Sequence, residues 1–179
     1  MKIYKISSSD DFSEVFPNLV GMMKKLGNPK KYLDAVRENK PLKDLWFEQE
    51  GIIQSKKQVA DICKPYSGQL MLSSIVRDSL DSELATYGEF LPVTLQGEKY
   101  WIMNLQNSIQ AAGNNSSPDR SDKDWFDKIT FKEENIRKQL LWTTSLDNDN
   151  QIFCTHRFIS LIEESDFKGL KFRPSLPAT

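Results

Sequence analysis

Apolar and polar positions alternate along the chain in short runs whose periods predict interleaved strands and helices. Met1–Ser7 alternates, with Ile3 and Lys5 on one side and Tyr4 and Ile6 on the other, and reads as a first strand. Ser8-Ser9-Asp10-Asp11 can cap a helix carrying Phe12, Val15, Phe16, Leu19, Met22 and Met23 on one face, with Pro17 and Gly21 weakening it. Gly27 stops that helix, and Asn28-Pro29 opens another with Tyr32, Leu33 and Val36 facing inward. Leu45-Trp46-Phe47 and Gly51-Ile52-Ile53 read as irregular structure or an edge strand, and Val59–Tyr66 is ambiguous. Ser73–Leu84 predicts a helix, because Val76, Leu80 and Leu84 recur four apart.

Glu89–Leu95 and Lys99–Leu105, joined by Gln96-Gly97-Glu98, form the clearest hairpin signal. Asn107–Asp124 is rich in small and polar residues and predicts a long loop, after which Trp125-Phe126 and Ile129–Phe131 return to the core. Ile136–Leu146 reads as helix then strand, with Leu140–Thr144 the strand, and Asp147–Asn150 as a turn. Phe158, Leu161 and Ile162 define the last helix, which Gly169 ends, and Leu170–Arg173 is the last strand. The tail Pro174–Thr179 is expected to fray.

Sliding the chain along itself by 82 residues (151 minus 69) brings Gln69–Ser73 over Gln151–Thr155, Val76 over Phe158, Leu80 over Ile162, Phe90 over Phe172 and Pro92 over Pro174. Each stretch reads as strand, Ser or Thr cap, helix, strand ending in Phe-x-Pro. An internal duplication gives this pattern, and so do two ordinary strand–helix–strand units. Interleaved elements with one hairpin predict an α+β fold: a single domain over 1–179, its mixed or mainly antiparallel sheet packed with helices. Within it, 1–67 is the helix-rich part, 68–175 the core and 176–179 a frayed tail.

Composition narrows the function classes. A chain of 179 residues with 39% hydrophobic residues can bury a core without staples. Its net charge of −1 gives no reason to expect nucleic acid, and no run approaches the ~20 apolar residues of a membrane span. The N-terminus lacks a long apolar stretch, so the expected location is cytoplasmic, with Cys63 and Cys154 as reduced thiols.

Candidate chemistry is sparse. His156 is the one histidine, two residues after Cys154, and reads as a helix-start residue with Thr155 as the better cap. Cys63, Cys154 and His156 do not supply a zinc site, and neither phosphate-loop pattern is present. Asp119, Asp122, Asp124 and Asp127 crowd a segment of mixed charge, and Asp147 with Asp149 reads as a turn, without the remaining ligands of a calcium loop. Trp101 and Trp142 are expected in the core. Trp125, flanked by aspartates, either pins the loop to the domain or anchors a protein partner. No metal or other cofactor is implied.

Leu70-Met71-Leu72-Ser73-Ser74 before a helix, Glu89-Phe90-Leu91-Pro92-Val93, Tyr100-Trp101-Ile102-Met103-Asn104, and Phe167-Lys168-Gly169-Leu170-Lys171-Phe172-Arg173-Pro174 together resemble a bacterial family. It comprises the immunity proteins of polymorphic and contact-delivered toxin systems, of the myxobacterial type formerly described as a domain of unknown function. The resemblance covers about Gly68 to Ser175. The family's Asp–Ser motif has only an approximate counterpart in Asp119-Arg120-Ser121. The resemblance implies a stoichiometric inhibitor that binds a cognate toxin effector, with no catalytic residues of its own. The Asn107–Asp127 loop would then form part of the toxin-facing surface, through Asp119, Asp122, Asp124, Trp125 and Asp127, its acidity suiting a basic cleft. The rival classes are a small enzyme using Cys154, His156 or Asp122 and Asp124, and an adaptor of a secretion apparatus.

Overall fold

The hairpin forms where the alternation is cleanest. In the computed structural model, which describes residues 1–112, 129–175 and 178, β7 (Gly88–Leu95) pairs antiparallel with β8 (Glu98–Leu105). Gln96 and Gly97 both take positive φ, 52° and 85°, which reverses the chain in two residues with the twist a hairpin needs. On the far side of β8 lies β6 (Gln69–Ser73), and beyond it β5 (Ile62–Cys63). A short strand, β3 (Gln49–Glu50), runs parallel to β7 at the opposite edge and completes a sheet of order β3-β7-β8-β6-β5.

The second large sheet has the order β11-β1-β10-β9. It joins β1 (Ile3–Ser8) to the C-terminal strands β9 (Leu141–Trp142), β10 (Ile152–Thr155) and β11 (Leu170–Pro174), all antiparallel to their neighbours. A third sheet pairs β2 (Val15–Phe16) with β4 (Ile52–Ile53). Six α-helices are described: α1 (Leu19–Leu26), α2 (Pro29–Arg37), α3 (Ser74–Ser79), α4 (Asp81–Leu84), α5 (Glu133–Ile136) and α6 (His156–Glu164).

The 82-residue offset has a structural counterpart, and it is a permuted one. In the first unit β6 leads through α3 to β7, and β8 lies between the two strands. In the second β10 leads through α6 to β11, and the strand between them is β1, from the other end of the chain. The registers superimpose. Leu72 sits opposite Trp101 and Ile62, while Cys154, 82 positions later, sits opposite Tyr4 and Leu141. Phe90 opposite Met103 corresponds to Phe172 opposite Ile6, and Pro92 opposite Trp101 to Pro174 opposite Tyr4. Even the entry bonds match: Ser73 N–H donates to Asp61 O at 2.8 Å, Thr155 N–H to Leu140 O at 3.1 Å.

Both crossover helices face one core. Leu70, Leu72, Met103 and Leu105 from the first sheet meet Ile6, Ile152 and Cys154 from the second, with Val76, Leu80, Phe158, Ile159 and Ile162 between. The remaining faces are covered differently. Over the first sheet, Val15, Met22, Tyr32, Ala35 and Leu42 pack on Met71, Leu91, Val93 and Ile102. The Leu42 and Lys43 N–H groups donate to the Glu89 carboxylate at 2.5 and 3.0 Å, which also accepts from Asn104 Nδ2 at 2.9 Å. Over the second sheet, Ile129, Phe131 and Ile136 pack on Ile3, Trp142 and Phe153.

Several local expectations change. Residues 9–16 are a turn and β2, not a helix, because Pro17 cannot continue one; α1 starts after Asn18, whose Oδ1 accepts the Gly21 N–H at 3.0 Å. On α2, Tyr32 and Ala35 face the core, whereas Leu33 and Val36 are 51% and 45% exposed. Leu33 and Val36 each follow a core-facing residue by one position, about 100° round the helix, and so lie on the neighbouring stripe, toward solvent. Gly169 does not end α6, which stops at Glu164; its place is a close approach to β5. Thr155 holds the cap position of α6, but its hydroxyl donates to Gln139 O at 2.9 Å instead. Within the tail, Ser175 and Ala178 N–H groups donate to Ile3 and Met1 carbonyls, so these residues are tied down.

Candidate docking surface

Asp119, Asp122, Asp124, Trp125 and Asp127, the residues expected to face a partner, lie outside the described residues. What is described is the base from which that segment leaves and returns. Ser108 bridges to Thr143, Ile109 N–H donates to Thr143 O at 2.9 Å, and Ala112 N–H donates to Thr130 O at 2.8 Å. The Thr130 hydroxyl donates back to Ala112 O at 2.5 Å. Residues 112 and 130 are thus held side by side, residues 107–109 lie along Thr143 just after β9, and Ile129 and Phe131 are buried.

A second surface was not foreseen. Trp101 was expected in the core, yet it is only half-buried, on the helix side of the first sheet. The Arg77 guanidinium, from α3, lies 5.2 Å from the Trp101 ring and 5.3 Å from the Phe90 ring, and Lys99 Nζ lies 4.5 Å from Trp101. Arg77 is oriented by Asp78 at 3.1 Å and Asp81 at 3.2 Å, and its side chain remains 30% exposed. The Ser74 hydroxyl donates to Lys99 O at 2.8 Å and ties α3 to β8 beneath it. Cations on indole faces are attractive by ~0.5–1 kcal/mol at exposed sites, so this cluster is pre-ordered. The spacing signal that could have found it is Phe90, Pro92 and Trp101, which alternate onto one face across the hairpin; the missing information was that α3 covers them with Arg77, a cation, and not with an apolar side chain.

The equivalent place in the second unit holds Tyr4, Phe172 and Pro174. His156, exposed at the first turn of α6, lies over Tyr4 with ring centroids 6.2 Å apart. Cys154, cross-strand from Tyr4, is fully buried in the shared core, whereas His156 is exposed at the start of α6.

Burial pushes the Cys63 thiol up to about 12 and the Cys154 thiol higher still. A thiol held protonated is a poor nucleophile and a poor metal ligand. The folded values lie above the ordinary one of about 8.5, so the thiols contribute stability that is full below that pH and is lost as pH rises towards 12. Tyr32, also pushed up to about 12 by burial, acts in the same direction. Native protein at pH 8 is expected to leave both thiols unreacted with a thiol reagent, unfolded protein to titrate two, and stability to fall above pH 9. Rapid labelling of the native protein contradicts this placement.

Other acidic residues have structural roles. Asp147, 3% exposed, accepts from Asn150 and Gln151 N–H at 3.1 and 2.9 Å, and burial pushes its carboxyl up. Asp149 accepts from Ser108 and Thr143 hydroxyls at 2.7 and 2.5 Å. Among the described residues no group of three His, Cys, Asp or Glu side chains is placed to hold a metal ion, and no helix is long and apolar enough to cross a membrane. No protein-family model matches the chain, and a search of curated proteins finds no relative.

Proposed function

We propose that this protein works by holding another protein, and that the partner is a toxin effector which it neutralises in a stoichiometric complex. One observation carries the binding part: Arg77 of α3 forms an ordered, half-exposed cluster with Phe90 and Trp101 of the β7–β8 hairpin. Trp and Arg are the side chains in which binding energy concentrates, and a cluster already ordered costs little entropy on docking. The identity of the partner rests on the resemblance of the strand and turn motifs over Gly68–Ser175 to immunity proteins. The segment holding Asp119, Asp122, Asp124, Trp125 and Asp127 is proposed as a second part of the toxin-facing surface.

Coexpression with the effector of the neighbouring gene tests the reading. Cells making both proteins should grow, whereas an adaptor leaves them poisoned. Trp101→Ala should weaken the complex by about 2 kcal/mol, roughly thirtyfold, without changing the thermal midpoint by more than a few degrees. Replacing residues 113–128 by a short Gly/Ser linker between the paired positions 112 and 130 should also weaken it. Unchanged affinity in the linker variant rejects that segment as a contact.

A further inference from the structure

We propose that the outer edge of β11 is a strand-addition site for an extended acidic segment of a partner protein. The ladder fixes which groups are free to take part. Ser9 N–H donates to Gly169 O at 2.8 Å and Ser175 N–H to Ile3 O at 2.9 Å, so residues 169, 171, 173 and 175 bond to β1. Leu170 and Phe172 therefore turn their N–H and C=O groups outward, as Pro174 turns its carbonyl. Among the described residues no strand pairs with residues 170–174 of this edge; Ile62 of β5 bonds only to the Lys168 carbonyl just before it.

The chain itself shows what the edge takes, because the equivalent strand β7 is covered. There residues 42–51 run alongside. Gly51 N–H donates to Thr94 O at 2.7 Å, Trp46 Nε1 to Pro92 O at 2.9 Å, and β3 lies parallel at Val93 and Thr94. The covering stretch carries Glu48 and Glu50 at alternate positions on the Thr94 face, where Glu48 accepts from the Thr94 hydroxyl at 3.3 Å; a segment whose carboxylates meet the positions equivalent to Glu89 and Leu91 enters one residue out of that register. Nothing described plays this part for β11.

Charge then selects the occupant. Glu89, which grips the Leu42 and Lys43 N–H groups, is replaced 82 positions later by Lys171, and Leu91 by Arg173. Lys171 and Arg173 are exposed, on one face of the strand, and Arg173 sits cross-strand from Lys5. Lys171 also reaches Asp10 at 2.6 Å, an exposed pair that a carboxylate from outside can join or replace. A second copy of this chain fits poorly: antiparallel pairing of two β11 edges about Phe172 sets Lys171 against Arg173. An extended segment with carboxylates at i and i+2 meets both cations and fills the ladder.

This inference deepens the partner-binding reading and rests on it, but its test uses the protein alone, so that a chain which fails to protect cells can still show the edge. The full-length ¹⁵N-labelled protein is titrated with the heptapeptide LWFEQEG, the covering stretch 45–51 of this chain. Saturable amide shifts are expected at Leu170 and Phe172. The charge-reversed peptide LWFKQKG should bind roughly tenfold more weakly, as should LWFEQEG with the Lys171→Glu/Arg173→Glu protein. Both substitutions are at exposed side chains, and the retained amide spectrum reports that the variant is folded. Absence of shifts at Leu170 and Phe172, shifts centred elsewhere, or equal affinity for both peptides overturns the proposal.

Discussion

Replacing Gly169 by alanine is expected to cost about 3–5 kcal/mol. Gly169 has φ +121°, outside what an L side chain adopts, and an added Cβ would sit 2.2 Å from Ile62 O and 2.3 Å from Ala60 Cβ. Neither neighbour can move freely. Ile62 belongs to β5 and its N–H donates to Lys168 O at 3.1 Å, so the clash falls where the edge of the first sheet meets the start of β11. Gly27 is the control: φ is +65°, but nothing lies within 4 Å of an added Cβ, and the same substitution there should cost about 1 kcal/mol. Denaturant midpoints of the two variants, at unchanged slope, check the contrast. Equal losses would mean that the approach of Gly169 to β5 is not a structural constraint.

The second large effect is expected at Trp142. Its indole is fully buried, edge-on to Phe131 at 5.4 Å and stacked on Phe153 at 6.1 Å, and the two phenylalanines meet at 4.9 Å. Truncation to alanine should cost about 3–5 kcal/mol, because the cavity lies between a sheet and the segment that covers it. Trp142→Phe should cost much less, about 1–2 kcal/mol. The indole N–H has no hydrogen-bond partner among the described residues, so removing it forfeits volume but no bond. A Phe variant as damaged as the Ala variant would contradict the packing account. The equivalent position in the first unit is Cys63, opposite Met71 as Trp142 is opposite Phe153. Cys63 and Met71 pack with Tyr32 and Ala35 of α2, and Trp142 and Phe153 with Phe131.

Local pattern made much of the fold legible. The hairpin, the Ser73 cap, whose Oγ accepts the Val76 N–H at 3.4 Å, and the helix over His156–Glu164 follow from neighbouring residues alone. So did the α+β class and the strand–helix–strand echo. The permutation was not legible, since no local feature of Ile3–Ser8 says that its partners are β10 and β11, more than a hundred residues away. Nor was the division into three sheets, because two-residue strands such as Val15–Phe16 carry too little period to register. Residues 9–16 misled because their apolar spacing suits a helix that Pro17 forbids. At the site, Trp101 was read as core from its place in a hairpin. There it is covered by the Arg77 side chain of α3 and by Lys99, charged groups that leave the ring half-buried, whereas Leu80 and Leu84 go into the shared core.

The central claim, that this protein acts by occupying a partner one to one, is tested most directly by titrating it against a fixed amount of the purified effector and reading the effector's residual toxicity or activity. A stoichiometric binder gives a linear fall that ends at one molar equivalent, with both proteins recovered unchanged in one complex. Full protection at a small fraction of an equivalent, or a covalently altered effector that no longer binds, would contradict it.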